Sequence, residues 1–175
     1  WSDWVSEENA RMTKQIEKIK SVPVSKTEVV DGTSDTSFGI AFSRDGKWIA
    51  YSTASDDHWQ TLRLRRFRPG AEPRDLEDKF LGSALAFTPD SKRLVYSTLH
   101  QVSNYSTYSD LRVHDLSTGS NDWLTEGERA RDPDVSPDGR GIVYAVASES
   151  GTDLMIGRLA IRRNDGKLTI VGKRK

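Results

Sequence analysis

The chain has 175 residues with 26 basic and 26 acidic side chains, so its formal net charge is zero, and it lacks the basic field that draws whole proteins onto nucleic acid or anionic lipid. The absence of cysteine excludes disulfides, zinc-thiolate sites and thiol nucleophiles. Because no apolar run approaches the roughly 18 residues that span a bilayer, we expect no membrane insertion. Because the net charge is zero, we expect no nucleic-acid partner.

The first predicted element is an amphipathic helix over residues 1–22. The stretch before Pro23 contains no glycine or proline, and lysines crowd its last turns, where cations suit the helix dipole. Its apolar residues fall on one side of the helical wheel: Trp1, Val5, Met12, Ile16 and Ile19. Such a helix is typical of a segment that covers another surface of the protein. The alternative is a helix that binds a partner or lies on a membrane surface, and its mixed charge and short length disfavour the membrane.

The rest of the chain contains three copies of one pattern, at Phe42–Ser52, Phe87–Ser97 and Val135–Ala145. Successive copies begin 45 and 48 residues apart. In each copy an apolar residue and a Ser or Thr precede a turn centred on Asp and Gly or Ser. Two apolar residues and a tyrosine follow. Because Asp and Gly tolerate the positive φ of tight turns, each copy predicts a hairpin. The predicted turn residues are Asp45, Gly46, Asp90, Asp138 and Gly139.

Each copy continues in the same order. A polar loop leads to an alternating strand, predicted at Leu62–Leu64, Leu111–Val113 and Leu154–Ile156. A turn-rich stretch then leads to a fourth short strand, predicted near Arg74–Leu76, Asp122–Leu124 and Leu168–Val171. Four strands in about 45 residues predict a β-propeller blade.

We therefore expect a mainly β chain: a partial β-propeller of about three four-stranded blades, preceded by one N-terminal α-helix. The blades are predicted at about 37–80, 81–127 and 128–175. Residues 23–36 are expected to form a linker or a strand of an adjacent blade.

The turn sequences resemble the repeated signature of TolB-like propellers, also called PD40 or WD40-like repeats. They are Ser43-Arg44-Asp45-Gly46, Thr88-Pro89-Asp90-Ser91 and Ser136-Pro137-Asp138-Gly139. Asp110–Gly119 and Trp123–Thr125 resemble the third and fourth strands of the same blade. The resemblance covers roughly residues 37–173. It implies a six-bladed type of propeller, as in periplasmic TolB and in non-catalytic domains of several peptidases. The opening helix resembles, more loosely, the linker between a thermolysin-like metallopeptidase domain and such a propeller.

The number of blades and the motif content shape the functional expectation. Closed propellers carry typically four to eight blades, so we expect a part of a larger propeller, or self-association through open blade edges. No serine-hydrolase elbow, zinc-binding His-Glu-x-x-His or phosphate-binding glycine loop is present, so no catalytic residue, metal ligand or cofactor is assigned. We expect a non-catalytic module that binds a protein or peptide partner or gates a substrate. Its parent would be a larger bacterial cell-envelope protein, periplasmic or extracellular.

Two other functions stay open. The segment is alternatively the accessory propeller of a peptidase whose catalytic domain lies outside it. A third interpretation, a propeller enzyme or metal-binding lyase, would use Asp132 and Asp134 as carboxylates near the propeller axis.

Two surface features are candidate binding sites. One is the predicted loop Thr98–Asp110, together with its shorter equivalent in the first blade, because loops on a rigid β scaffold often carry recognition. Their candidate residues are His58, Trp59, His100, Tyr105 and Tyr108. The other is the pair Arg63 and Arg65, which share one face of a strand and would suit an acidic partner. Solvated loops and a charged guard on a pairing-prone strand are the respective alternatives.

Overall fold

The structure is a computed structural model of the chain. It describes residues 2–22, 29, 36–80, 82–103 and 105–175, and it gives only the backbone for His58 and Val102. Trp1 and most of the predicted linker 23–36 lie outside the described residues. The chain divides after Thr33 into two compact units.

The first unit contains the expected helix, α1, over Ser2–Lys20. Asp3 lies in its first turn, and Lys18 and Lys20 lie in its last turn, so the charges complement the helix dipole at both ends. No residue of α1 is buried, and Ile19 is largely exposed. That α1 covers another surface of the protein stays a prediction.

The second unit consists of three antiparallel sheets of four strands, each with its strands in sequence order. Blade 1 contains β1 (Thr36–Phe42), β2 (Trp48–Ser55), β3 (His58–Arg66) and β4 (Arg74–Glu77). Blade 2 contains β5 (Ala86–Phe87), β6 (Arg93–Ser103), β7 (Ser106–Asp115) and β8 (Asn121–Trp123). Blade 3 contains β9 (Ala130–Val135), β10 (Gly141–Ser148), β11 (Gly151–Ile161) and β12 (Leu168–Arg174). The predicted fold class, three four-stranded blades after one helix, is confirmed.

The core lies between the blades, since each sheet packs one face against its neighbour. A cluster between blades 1 and 2 contains Ala50, Leu62, Leu64, Phe80, Leu94 and Tyr96. A larger cluster between blades 2 and 3 contains Ala86, Val95, Leu111, Val113, Leu124, Ala130, Val135, Ile142, Tyr144, Leu168 and Ile170. Blade 2 is therefore covered on both faces, as expected for an interior blade.

Blade 3 leaves one apolar face uncovered. Leu62, Leu111 and Leu154 are equivalent, because each pairs with the last residue of its repeat copy. Leu62 and Leu111 are fully buried, whereas Leu154 is 62% exposed. The next apolar position behaves in the same way, as the exposed fractions show: Leu64 1%, Val113 3% and Ile156 44%. The sequence is apolar at all of these positions, but only blades 1 and 2 have a following blade to cover them.

The innermost strands bend at a shared position. β1 bulges at Gly39 and β9 at Asp132, and both residues adopt a left-handed φ, +49° and +51°. Bulges bend a strand and end its regular pairing. In blade 2 the inner strand is instead interrupted, because Phe80 bridges to Thr98 and pairing resumes only at β5.

The expectation of a long loop at Thr98–Asp110 is wrong. β6 and β7 continue through this stretch as one hairpin, with His100 paired to Tyr108 and Gln101 to Thr107. The stretch is polar, but threonine and tyrosine favour strands, and a polar strand is stable where one face is solvated. The equivalent turn in blade 1 is also short, since β3 already begins at His58.

Candidate partner-binding surfaces

The repeated turn is held by its own side chains. In blade 1, Asp45 Oδ1 accepts hydrogen bonds from Ser43 Oγ (2.6 Å) and from the Lys47 N–H (3.1 Å). The Trp48 N–H donates to Ser43 Oγ (2.9 Å). Gly46 has a φ of +67°, which glycine adopts without steric cost. The hydrogen bond from Ser43, and then that from Lys47, hold the pKa of Asp45 below its usual value.

Blades 2 and 3 repeat this turn. Thr88 Oγ1 donates to Asp90 Oδ1 (2.6 Å), and Ser136 Oγ donates to Asp138 Oδ1 (2.5 Å). Ser91 replaces the glycine, with a φ of +56°. The bond from Ser136 is the main cause that lowers the pKa of Asp138. Partial burial would raise the pKa of Asp90, but the hydrogen bonds outweigh it and the net direction is downward. The predicted turn aspartates thus lie at equivalent places.

The three turns contact one another at one end of the inner strands. We call residues 43–47, 88–92 and 136–140 the turn cluster. The Asp45 N–H donates to Ser91 Oγ (3.0 Å), which joins blades 1 and 2. Arg44 Nη1 donates to the Pro137 carbonyl (3.2 Å), which joins blades 1 and 3. These contacts hold the inner ends of the three blades together.

Beside the turn cluster lies a cavity of about 240 Å³, which we call the axial cavity because residues at the inner edges of all three blades line it. Eight of its ten lining residues have apolar side chains, and the other two carry charges of opposite sign, Arg44 and Asp134. Asp134 is exposed, and its Oδ1 accepts the Val135 N–H (2.9 Å). The lining residues are Ala41, Phe42, Arg44, Leu85, Ala86, Phe87, Pro89, Asp134, Val135 and Pro137.

Asp132, the other predicted axial carboxylate, has a different environment. Its Oδ1 accepts a hydrogen bond from the Ser83 N–H (3.1 Å), in the segment that interrupts the inner strand of blade 2. It also lies so close to Gly82 that a Cβ there would stand 2.6 Å from Asp132 Oδ1. Asp132 therefore ties blade 3 to blade 2 and does not line the axial cavity.

The hairpin tips at the opposite end of the blades carry most of the predicted aromatic residues. Trp59 is largely exposed, and Tyr105 is completely exposed. Tyr108 is half-buried, because the Arg129 guanidinium lies 4.5 Å from its ring centre and donates a hydrogen bond to its hydroxyl (3.3 Å). That hydrogen bond lowers the pKa of Tyr108. The side chain of His58 lies outside the described part of the chain.

His100 belongs to a cluster that the sequence analysis did not single out. Its ring stacks on Trp123 at 4.2 Å, and its Nδ1 lies 3.4 Å from Asp110 Oδ2. Asp110 is fully buried and accepts hydrogen bonds from Thr125 Oγ1 (2.8 Å) and the Gly127 N–H (2.7 Å). The sequence signal for this anchor is a carboxylate directly before the apolar residues of the predicted strand Leu111–Val113. The cluster fixes the connection from blade 2 to blade 3.

The two candidate arginines lie on the face of β3 opposite Leu62 and Leu64, as their alternation predicts. Arg63 Nε pairs with Asp75 Oδ1 at 2.9 Å, and Arg65 Nε donates to the Ala71 carbonyl at 2.6 Å. Both guanidinium groups are thus engaged within blade 1.

Among the described residues, no group of three or more His, Asp or Glu side chains lies close enough to hold a metal ion. No described helix is long and apolar enough to cross a bilayer.

No family model matches the chain. Dipeptidyl-peptidase 5 of Porphyromonas endodontalis is 34% identical over 82 residues, which is 44% of this chain and 12% of that protein. A solved structure named as a TolB of Agrobacterium tumefaciens superposes on 87% of this chain and 52% of its own, with a TM-score of 0.60 and 25% identity. The three blades have a TolB-like β-propeller fold.

The TolB-like fold extends to peptidase propellers. Prolyl oligopeptidase B of Galerina marginata matches 79% of this chain and 22% of its own, with a TM-score of 0.57 and 18% identity, which shows the shared fold alone. In each comparison the TolB-like segment spans only part of the longer protein, about half of the Agrobacterium chain and about an eighth of the peptidase 5 sequence. The likeness of α1 to a metallopeptidase linker stays a prediction.

Proposed function

We propose that this segment is a non-catalytic part of a larger propeller and that its axial cavity binds an extended peptide, either a segment of a protein partner or a substrate passing to another domain. The observation that carries the proposal is the cavity itself, which residues from three blades build together. Phe42 and Phe87 give it apolar walls, and Arg44 and Asp134 give it charges of both signs. A peptide offers the matching chemistry, apolar side chains along a backbone with acceptors and donors.

The lining chemistry supports binding rather than turnover. Among the described residues that line the axial cavity, none carries a hydroxyl, thiol or imidazole group. Hydrolytic sites place such a group as nucleophile or base next to a second group that activates it. Arg44 is already engaged with the Pro137 carbonyl across the turn cluster. The cavity is suited to holding a chain in place.

The uncovered face of blade 3 supports the larger propeller. Leu154 and Ile156 are exposed at positions where blades 1 and 2 bury their leucine and valine equivalents against a following blade. Large contiguous apolar faces mark sites that another element covers. We propose that a further blade packs there in the parent protein. The TolB likeness supports a bacterial protein of the cell envelope, periplasmic or extracellular.

A second function, the accessory propeller of a peptidase, is favoured by the 34% identity to dipeptidyl-peptidase 5. In that case the axial cavity would admit peptides to a catalytic domain elsewhere in the protein. Phe42→Ala in the whole protein would then raise kcat/KM for long peptides and leave a fluorogenic dipeptide unaffected. Ile40→Ala, an exposed residue of the same strand outside the lining, is the control. Equal effects on both substrates would contradict gating.

Peptide binding is tested directly by titrating the isotope-labelled 175-residue chain with an unblocked apolar tetrapeptide and following amide shifts by NMR. We expect the largest shifts at Phe42, Phe87 and Val135. Arg44→Gln should weaken binding about threefold or more through loss of a charge-assisted contact. Lys47→Gln is the matched control, because Lys47 lies on the same turn but does not line the cavity. Shifts confined to the hairpin tips, or equal losses in both variants, would contradict the proposal.

A further inference from the structure

A second cavity, about 460 Å³ in volume, lies between blades 2 and 3 beside the outer strands of blade 3. We call it the rim groove. One side is the blade 2 turn at Pro89 and Asp90, and the other is the β11–β12 hairpin at Ala160 and Ile161, with Asp138 contributing from the blade 3 turn. Among the described lining residues, only Pro89 is shared with the axial cavity. The two cavities are therefore distinct sites.

The rim groove exists because the outer hairpin of blade 3 is longer than that of blade 2. Leu116 and Leu159 are equivalent positions of blades 2 and 3. Each donates its N–H to the carbonyl of the residue two positions after the turn aspartate, which is Lys92 for Leu116 and Arg140 for Leu159. In blade 2 the last hydrogen bond across the outer hairpin lies one residue before Leu116, where the Asp115 N–H donates to the Ser120 carbonyl. In blade 3 the corresponding hydrogen bond lies three residues after Leu159, where the Arg162 N–H donates to the Lys167 carbonyl. The extra strand length forms the outer wall of the groove.

That wall is apolar although it lies at the surface. Ile161 pairs across the hairpin with Leu168, and Leu159 and Ala160 precede it. Leu168 is buried in the core between blades 2 and 3, whereas Ile161 is 50% exposed. A hairpin extension exposed to water would ordinarily carry polar residues at both strands. The apolar wall instead offers a surface along which an aliphatic chain can pack.

The opposite side of the rim groove carries two carboxylates. Asp90 and Asp138 each use Oδ1 inside their turns, where it accepts two hydrogen bonds. Among the described residues, no hydrogen bond to the Oδ2 of either is found, and both side chains are exposed at the groove. Their pKa values are lowered by the turn hydrogen bonds, so both are ionised at neutral pH. Each turn thus leaves one charged oxygen available.

Three cations lower the pKa values of these carboxylates, and one of the three belongs to the lining of the rim groove. Arg93 lines it, but its Nε is paired with Asp115 Oδ2 at 3.2 Å. Lys92 and Arg140 follow the turn aspartates in sequence, are exposed, and do not line the groove. Two negative charges facing an apolar wall match a group that is aliphatic along its length and cationic at its end.

We propose that the rim groove binds an arginine or lysine side chain of a protein partner, with the aliphatic stem along Ala160 and Ile161 and the cationic head at Asp90 and Asp138. Arginine is the better match, because its planar fork presents several donors to two carboxylates. The site is independent of peptide binding in the axial cavity.

The proposal is tested with small probes on the isotope-labelled 175-residue chain. Acetyl-arginine-N-methylamide should shift the amides of Gly139, Ala160 and Ile161 in an NMR titration. The citrulline analogue has the same length without the charge and should shift them at least fivefold more weakly. The lysine analogue should bind with intermediate strength. Equal binding of the arginine and citrulline probes would overturn the proposal.

Variants with a matched control locate the site. Asp90→Asn and Asp138→Asn keep the Oδ1 acceptor that the turn needs and remove one charge each, so each should weaken the arginine probe about fivefold. Asp45→Asn makes the same change in the equivalent turn of blade 1, outside the groove, and should leave the probe affinity unchanged. Equal weakening by Asp45→Asn would show a general charge effect and contradict the assignment.

The apolar wall is tested separately. Ile161→Ser removes an exposed side chain, so the fold should persist, yet the arginine probe should bind at least threefold more weakly because its stem loses the wall. The control is Ile156→Ser, an exposed isoleucine of the same strand on the uncovered face. No change with Ile161→Ser, or probe shifts centred on the axial cavity or the hairpin tips, would overturn the proposal.

Discussion

Alanine at equivalent leucines of blades 2 and 3 should have very different effects on stability. Leu111 is fully buried between blades 2 and 3, so Leu111→Ala should lower the free energy of unfolding by about 2–5 kcal/mol through lost transfer energy and a residual cavity. Leu154 occupies the same strand position but is 62% exposed, so Leu154→Ala should cost about 1 kcal/mol or less. The contrast follows only if blade 3 lacks a covering blade.

The assay is urea unfolding of the 175-residue chain, with both variants compared at an unchanged m-value. In a longer form of the protein that carries the next blade, Leu154→Ala should become as costly as Leu111→Ala. Leu62→Ala serves as a second buried reference, since its side chain is covered by blade 2. Equal costs for Leu111→Ala and Leu154→Ala in the 175-residue chain would refute the assignment of the uncovered face.

Three further predictions concern single contacts. The folded pKa values of the three turn aspartates lie below the ordinary value of 3.8, so their contribution to stability is complete above pH 3.8 and is lost as the pH falls through the folded values. The free energy of unfolding of a triple Asn variant should therefore fall less steeply with decreasing pH, below a pH of about 4, than that of the unchanged chain. Gly39→Ala should lower the free energy of unfolding by about 1–3 kcal/mol, because the φ of Gly39 is left-handed and a Cβ would collide with the Ser83 carbonyl oxygen. Gly119→Ala is the control, because Gly119 has a left-handed φ and open space around it, and it should lower the same quantity by about 1 kcal/mol in the same thermal melt. Asp110→Asn should lower the free energy of unfolding by about 1–3 kcal/mol, measured by calorimetry, because the Gly127 N–H loses its acceptor. Asp45→Asn, at an exposed turn, should lower it far less. Similar losses in both variants would contradict the role of Asp110 in holding the connection from blade 2 to blade 3.

The three repeat copies could be predicted from the sequence because each turn is held by hydrogen bonds between residues close together in the chain. A Ser or Thr two residues before an aspartate, with a residue that tolerates positive φ after it, specifies the turn without distant contacts, and all three copies form it. Strand order followed from the spacing of the copies. The polar stretch Thr98–Asp110 was predicted wrongly, because solvated strands and loops share polar composition, and cross-strand pairing decided between them.

The candidate sites were harder to predict than the fold. Arg63 and Arg65 looked like a charged patch, but they are engaged by Asp75 and the Ala71 carbonyl, partners set by β4 and the turn before it. The two proposed binding surfaces, the axial cavity and the rim groove, combine residues from different blades. Sequence spacing cannot show which side chains of separate blades meet, and it cannot show that Ile161 extends a hairpin beyond its repeat equivalent.

The central claim, three stacked TolB-like blades with one face left for another, is tested most directly by methyl NOE spectroscopy on the 175-residue chain. Leu111 and Val113 methyl groups should show contacts to residues of blade 3 in the shared core, such as Tyr144 and Ile142. Leu154 and Ile156 methyl groups should show none to another blade. Absent contacts from Leu111 and Val113, or contacts from Leu154 and Ile156 to a second sheet of the same chain, would contradict the account.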